Sequence, residues 1–160
     1  MNKTDNPPSD HVVDHDCACK SALQSAENHC KKQGVRLTAI RKQILQLMCQ
    51  SHHAVKAYDL LEDIKSDFKN AKPATVYRAL DFLLKEGFIH KVESLNAFIA
   101  CNQGHCNYEC VLLICTQCHE VEEQTGSNMS KTVTTELQQS SFISHIKTIE
   151  IQGICVNCVS

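Results

Sequence analysis

The 160-residue sequence predicts an α+β fold, with a winged helix-turn-helix in its N-terminal part and a small α/β domain in its C-terminal part. Three observations support this prediction. Apolar residues recur at helical spacing from residue 39 to residue 86, and they alternate with period two from 88 to 101. After residue 110, two Cys-x-x-Cys pairs accompany a strand–strand–helix–strand pattern. A chain of this length forms one medium domain or two small ones.

The first predicted elements are helices. Residues 1–16 are polar and are expected to form a disordered tail. Residues 17–33 can form a helix that Gly34 ends, because glycine readily adopts the left-handed conformation found after helix C-termini. Thr38 is a suitable N-cap for a second helix. A third helix is predicted over residues 57–68.

The fourth helix has clear signals at both ends. Pro73 fits its first turn and Gly87 fits its end. Two alternating segments follow, at 88–93 and 97–101, and a short turn between them predicts a β-hairpin. Compact helices followed by a hairpin are typical of a winged helix-turn-helix, which the sequence places at residues 17–101.

A different pattern begins after the wing. Residues 102–110 form a polar loop that is expected to act as a hinge and to carry metal ligands. The rest of the chain, 111–160, is predicted to be a small α/β domain with strands at 111–115 and 121–124, a helix at 127–139 and a strand at 143–154.

Charge is unevenly distributed along the chain. Residues 31–91 contain twelve Lys or Arg and six acidic residues, whereas the remainder contains four and twelve. The region that includes the predicted helices is therefore basic beside an acidic remainder. This asymmetry indicates an anionic partner for the first part, with chance surface charge as the alternative.

Composition narrows the possible classes of protein. The first ten residues are polar, and no apolar run approaches the roughly 20 residues that a membrane span needs. The chain is therefore expected to be cytoplasmic, without a membrane partner. It contains no G-x-S-x-G, Walker A or H-E-x-x-H motif, so neither enzymatic activity nor a small-molecule substrate is expected. The chain has eleven cysteines. Disulfides are rare in the cytosol, so Cys-x-x-Cys pairs there point to metal or redox chemistry.

The two Cys-x-x-Cys pairs predict a structural zinc site. Cys115 and Cys118, with Cys155 and Cys158, offer four thiolates, which tetrahedral zinc prefers. Four protein ligands leave no open coordination position, so such a site is structural rather than catalytic. The alternatives are a redox switch and inert thiols, but neither pair lies at the strand-to-helix turn expected of a thioredoxin-like motif.

A second, more diffuse set of potential ligands surrounds the predicted hairpin and loop. It comprises His90, Cys101, His105, Cys106 and Cys110, with Glu120, Glu122 and Glu123 after the first Cys-x-x-Cys pair. Mixed nitrogen, sulfur and oxygen ligands suit zinc. A site that takes ligands from both domains could change the angle between them. The N-terminal segment adds His11, His15, Cys17 and Cys19, which either bind metal weakly or are incidental.

The fourth predicted helix is the candidate DNA-reading element, because the corresponding helix of a winged helix enters the major groove. Arg78 is suited to a guanine edge or a phosphate. Thr75 and Tyr77 could bond phosphates near the helix N-terminus. Tyr58 could contact the DNA backbone or a thymine methyl group. For Tyr77, a buried core ring is the alternative.

Several segments together resemble repressors of the ferric uptake regulator family. They are Val35–Arg41, Ala57–Leu61, Pro73–Leu80 and Phe88–Ser94, together with both Cys-x-x-Cys pairs. The resemblance extends from about Cys30 to Cys158, and it is strongest to the zinc-sensing members. It implies an N-terminal winged helix and a C-terminal α/β dimerisation domain. It further implies a homodimer that binds a palindromic operator and represses zinc-uptake genes when zinc is loaded.

The resemblance also implies specific residue roles. It implies two zinc ions per monomer, one structural at the four paired cysteines and one regulatory at His90, Cys101, His105 and Glu123. Whether Cys106 or Cys110 replaces or joins His105 stays open. DNA contacts are implied for Tyr58 and Arg78, and a contact between neighbouring dimers is implied for Glu62 and Lys65.

Two alternative functions remain open from the sequence. An iron- or peroxide-sensing regulator of the same family is one, although residues 107–114 lack the histidines that iron sensors carry before the first Cys-x-x-Cys pair. A zinc-storage or thiol redox protein is the other, and it predicts no sequence-specific DNA binding.

Overall fold

The computed structural model describes residues 15–51, 53–102, 110–124, 128–144 and 148–159. The elements in chain order are α1 (His15–Gln33), α2 (Ala39–Gln50), α3 (Ala57–Ile64), α4 (Pro73–Lys85), β1 (Ile89–Val92), β2 (Ala97–Ala100), β3 (Cys110–Cys115), β4 (Val121–Gln124), α5 (Asn128–Gln139) and β5 (Thr148–Gly153). The predicted α+β class and element order are confirmed. Among the helices in the described ranges, none is long and apolar enough to span a membrane.

The helix ends follow the local sequence signals. Gly34 follows α1 with a φ of 67°, Thr38 is the N-cap of α2, and Pro73 opens α4. Two predicted helix bounds are wrong. Helix α1 begins at His15, so residues 15 and 16 of the predicted disordered tail are helical. Helix α3 ends at Ile64 rather than residue 68, because the chain tightens into turns there.

The wing is a two-stranded antiparallel hairpin. Strands β1 and β2 pair from Ile89 opposite Ala100 to Val92 opposite Ala97. A short 3-10 turn, Glu93–Leu95, joins them, and Asn96 closes it in the left-handed conformation with a φ of 46°. The predicted hairpin is confirmed.

The C-terminal domain is a three-stranded sheet in the order β4-β3-β5, with α5 beside it. Strand β3 is central, since β4 pairs with it antiparallel and β5 pairs with it parallel. Strand β5 begins at Thr148 rather than residue 143, so the predicted last strand is too long at its N-terminal end. The parallel pairing brings the ends of β3 and β5 to the same edge of the sheet.

Two apolar clusters form the core. The larger fills the winged helix, where α2, α3 and α4 bury Ile44, Leu60 and Leu83. The smaller cluster joins the two domains: its buried members are Val92, Cys110, Leu112 and Ile114, and Ala54, Leu95, Ile99 and Val121 pack against them. The wing and the C-terminal sheet therefore share a dry contact.

Candidate metal centres and nucleic-acid interface

The structure brings the four paired cysteines together. Cys115 ends β3 and Cys155 follows β5, and the parallel register sets Cys115 opposite Gly153. The sulfur atoms of all four cysteines lie within 4.8 Å of one another, and those of Cys118 and Cys155 are 3.7 Å apart. Two thiolates bound to one zinc ion at about 2.3 Å in tetrahedral geometry are about 3.8 Å apart. The donor set and its spacing therefore fit zinc.

Backbone amides favour the thiolate form of one cysteine in this cluster, and a thiolate is the form that binds a cation. Backbone hydrogen bonds at Cys118 and Cys155 lower the pKa of the Cys115 thiol to about 6. The amide of Cys155 donates to the Cys115 sulfur at 3.4 Å. By contrast, hydrogen bonding to Cys155 and Cys118 raises the pKa of Cys158 to about 12. One thiolate is thus present near neutral pH, and a bound dication would displace the protons of its neighbours.

A second cluster lies at the junction of the two domains. His90 comes from β1 and Cys101 follows β2, whereas Glu123 comes from β4. Their donor atoms lie within 4.8 Å of one another, and all three residues are buried. Nε2 of His90 is 3.1 Å from Oε1 of Glu123, and the Cys101 thiol is 3.8 Å from the same oxygen. One nitrogen, one sulfur and one carboxylate oxygen form a set that suits zinc.

Hydrogen bonding keeps this cluster charged despite its burial. Burial lowers the pKa of His90, but hydrogen bonds to Cys101, Cys110 and Glu123 outweigh it and raise the pKa to about 12. Burial likewise raises the pKa of Glu123, but His90 and the Asn102 amide outweigh it and hold the pKa below its usual value. Without metal, an imidazolium–carboxylate pair therefore connects the domains, and a metal ion would have to displace the His90 proton.

The remaining ligand candidates of this region differ in position. Cys110 is buried, and its sulfur lies 3.5 Å from Nδ1 of His90, on the ring edge away from the Glu123 contact. From this position, Cys110 is better placed to orient the imidazole ring through a hydrogen bond than to serve as a further metal ligand. Glu120 and Glu122 are exposed and belong to neither cluster. His105 and Cys106 lie outside the described residues.

The predicted DNA-contacting residues lie on α3 and α4, and all of them except the half-buried Thr75 are exposed. Tyr58 is 70 % exposed and Tyr77 is 54 % exposed, so the alternative of a buried core ring for Tyr77 is wrong. Arg78 is exposed one position further along α4. The Thr75 hydroxyl accepts a hydrogen bond from the Lys72 amide and so helps to cap the start of α4. The face carries groups that can contact DNA.

The other predicted contacts are also located. Lys65 and Glu62, proposed to act between neighbouring dimers, form an ion pair with each other at 2.6 Å on the surface of α3. Cys19 is buried in α1, and its sulfur lies 3.9 Å from the Gln46 carbonyl oxygen, so it packs against α2. His11 and the side chains of His15 and Cys17 lie outside the described part of the chain.

These features define a class of protein: a winged-helix regulator with two candidate metal centres, one of them shared between its domains. The chain belongs to the ferric uptake regulator family, whose model matches residues 32–152.

Comparison with known proteins points to zinc-related members. The chain is 38% identical to the zinc uptake regulation protein of Escherichia coli (strain K12) over 138 residues, which cover 86% of this chain and 81% of that protein. A structure of a zinc uptake regulator complexed with zinc and DNA matches with a TM-score of 0.81 at 37% identity, covering 88% of this chain and 95% of that chain. The likeness therefore spans both domains.

Two further solved structures, a holo and an apo form of one protein, differ in their similarity to this chain. The chain matches holo XcZur with a TM-score of 0.76 at 36% identity, covering 86% of this chain and 96% of that one. It matches apo XcZur with a TM-score of 0.53 at 34% identity, covering 90% of this chain and 99% of that one. At nearly equal identity, the structure is therefore more similar to holo XcZur than to apo XcZur.

Proposed function

We propose that the protein is a zinc-responsive transcriptional repressor of zinc-uptake genes, which binds a palindromic operator as a zinc-loaded homodimer. The observation that carries the proposal is the convergence of His90, Cys101 and Glu123, whose donor atoms lie within 4.8 Å although they come from two domains. His105 would supply the fourth ligand. A repressor acts where its operator is, so the proposal places the protein in the cytoplasm.

The two candidate centres have different roles in this proposal. The four cysteines hold the C-terminal end of the chain on β3 and so complete the dimerisation domain. His90 and Cys101 hold the wing, and Glu123 holds the sheet. When bound between them, zinc supplies a dication that binds neutral imidazole, thiolate and carboxylate together. The shared cluster then fixes the angle between the domains, which sets the separation of the two α4 helices in a dimer.

Coupling between metal and DNA follows from this arrangement. Zinc and operator both favour the closed arrangement, in which the angle between the domains is fixed. Each ligand therefore increases the affinity of the protein for the other by the same factor. The exposed residues Tyr58, Tyr77 and Arg78, with the half-buried Thr75, would face DNA in the closed dimer. The exposed pair Glu62 and Lys65 would exchange partners with a neighbouring dimer on longer operators.

The decisive experiment is operator binding with and without zinc. Electrophoretic mobility shifts on promoter fragments of zinc-import genes should show binding only when zinc is present. Cys101→Ser should remain a folded dimer but lose zinc-dependent binding, while Cys30→Ala, at a buried cysteine in the winged-helix core, should keep it. Binding by Cys101→Ser equal to that of the unchanged protein would remove Cys101 from the site.

Metal content separates the alternatives. Two zinc ions per monomer, one retained and one lost after mild chelation, support the proposal. Tight binding of iron with indifference to zinc would favour an iron- or peroxide-sensing regulator. Zinc binding without any sequence-specific DNA binding would favour a storage or thiol redox protein.

A further inference from the structure

Glu150 makes a contact between the domains that involves no metal ligand. Its carboxylate accepts hydrogen bonds from the backbone amides of Glu93 at 2.5 Å and Ser94 at 3.1 Å. Glu150 lies on β5 of the C-terminal sheet, whereas Glu93 and Ser94 form the turn of the wing. One carboxylate therefore holds two consecutive amides of the other domain.

The sheet register relates this contact to the shared metal cluster. Leu112 on β3 pairs with Glu123 on β4 and with Glu150 on β5. Directly paired residues of neighbouring strands project to the same face, so these three side chains form one row across the sheet. Glu123 meets His90 at one end of β1, and Glu150 meets the turn beyond the other end.

The middle of the row is apolar and dry. Leu112 is fully buried in the cluster that joins the domains, where Val92 of the wing is also fully buried. The wing thus lies on the sheet along an acid–leucine–acid row. The carboxylate at one end belongs to the candidate metal centre, while the carboxylate at the other end bonds to the wing turn and to neither candidate metal centre.

The Glu150 contact is a charge-assisted one. Burial raises the pKa of Glu150, but hydrogen bonds from Ser94 and from the amide of Glu93 outweigh it and keep the pKa below its usual value. The group is therefore ionised at neutral pH, and hydrogen bonds to an ionised acceptor are stronger than neutral ones. Opening of the domains would return this carboxylate and both amides to water.

We propose that Glu150 is a positioning residue that latches the wing turn to the C-terminal sheet and favours the closed domain arrangement independently of metal. The proposal rests on the proposed function in one respect, namely that the closed arrangement is the one that binds zinc and operator. The latch lowers the differential affinity that zinc must supply to close the molecule. Its loss should weaken zinc binding at the shared cluster and operator binding together, by linkage.

The test compares Glu150→Ala, which removes both acceptors, and Glu150→Gln, which keeps one neutral acceptor, with Glu136→Ala. Glu136 is an exposed acid on α5 of the same domain and serves as the matched control. Zinc competition with a chromophoric chelator should show that Glu150→Ala lowers the zinc affinity of the shared cluster about tenfold, which corresponds to about 1.4 kcal/mol. Glu150→Gln should lower it less. Zinc binding at the four-cysteine cluster and the dimeric state should be unchanged.

Operator binding distinguishes a latch from general destabilisation. At limiting zinc, Glu150→Ala should bind operator about tenfold more weakly, and saturating zinc should restore most of the affinity because zinc then closes the molecule. Zinc and operator affinities within twofold of the unchanged protein would overturn the latch. An operator defect that saturating zinc does not reduce would also overturn it.

Amide hydrogen exchange keeps the test independent of DNA. The amides of Glu93 and Ser94 should exchange slowly in the zinc-loaded protein and in Glu136→Ala, and faster in Glu150→Ala. Equal exchange in all three proteins would overturn the contact itself. If the unchanged protein binds no operator, the proposed function fails, whereas the exchange and zinc measurements still decide on the latch.

Discussion

His90 and Glu123 lie 33 residues apart in sequence, on the wing and on the C-terminal sheet, and their side chains meet with Nε2 of His90 3.1 Å from Oε1 of Glu123. Both side chains are buried, and Cys101 completes the group. The pair is therefore both an ion pair between domains and part of a ligand set. The contact joins the domains without a metal ion, so a metal ion that bound here would modify an existing contact.

This pair predicts how pH affects the stability of the metal-free protein. The pKa of His90 is higher in the folded protein than its unfolded value of about 6.5, so the protonated side chain stabilises the fold. This stabilisation is complete below about pH 6.5. The stabilisation declines as pH rises towards the folded value, by at most about 1.4 kcal/mol per pH unit. Glu123→Gln removes the charged partner and should make this decline shallower. Urea unfolding of chelator-treated proteins between pH 6.5 and 8.5 measures both slopes, and equal slopes contradict the prediction.

Arg78→Ala should weaken operator binding while the dimer stays folded and zinc-loaded. Loss of a good base contact costs roughly 1–3 kcal/mol, or about five- to 150-fold in affinity. Lys85, an exposed cation in the last turn of the same helix, provides the control variant Lys85→Ala. Fluorescence anisotropy with operator and scrambled DNA gives both affinities. Equal losses in the two variants, on both DNAs, would show that Arg78 contributes only charge.

Cys158→Ser should abolish zinc binding at the four-cysteine cluster. The remaining three thiols leave the cluster incomplete, so the zinc content should fall by one per monomer and the C-terminal domain should lose thermal stability. Cys49→Ser changes a half-buried cysteine outside both clusters and should retain both ions. Metal analysis and circular dichroism check this, and full zinc content in Cys158→Ser would speak against a four-cysteine site.

Leu112→Ala should destabilise the junction between the domains. Leu112 is fully buried, and truncating a buried leucine costs about 2–5 kcal/mol because a cavity remains. Part of this cost should appear as weaker zinc-dependent operator binding, since the cavity lies beneath the wing. Leu113→Ala changes the neighbouring, less buried residue and should cost less. Equal unfolding free energies for the two variants would not fit the described packing.

Much of the winged helix could be predicted because its signals are local. Thr38, Pro73 and Gly34 lie where capping preferences place them, and the apolar stripes of the helices become the buried faces. The misplaced end of α3 has a different cause. Phe68 continues the helical spacing, but it packs against the core from a turn.

The candidate sites were predictable only in part. The Cys-x-x-Cys spacing is a local signal. His90, Cys101 and Glu123 belong to a wider set of sequence candidates, which the resemblance narrows. Glu150 has no such signal, because an acid within an alternating strand also fits an exposed position. Its partners are backbone amides 56 and 57 residues away, and only the parallel register of β3 and β5 brings them together. The position of Cys110 beside Nδ1 of His90 likewise depends on that packing.

The meeting of Cys118 and Cys155 has a consequence for the lifetime of the chain. These residues are 37 positions apart, and a metal ion that bridged their sulfur atoms would form a cross-link that needs no oxidant. In the polymer model of cross-links, closing a loop of about 40 residues removes unfolded-state entropy worth roughly 4 kcal/mol. A chelator would reverse such a cross-link, so with zinc bound at this cluster the resistance to unfolding would depend on free zinc. Severe zinc starvation is therefore expected to shorten the survival of the protein against proteases.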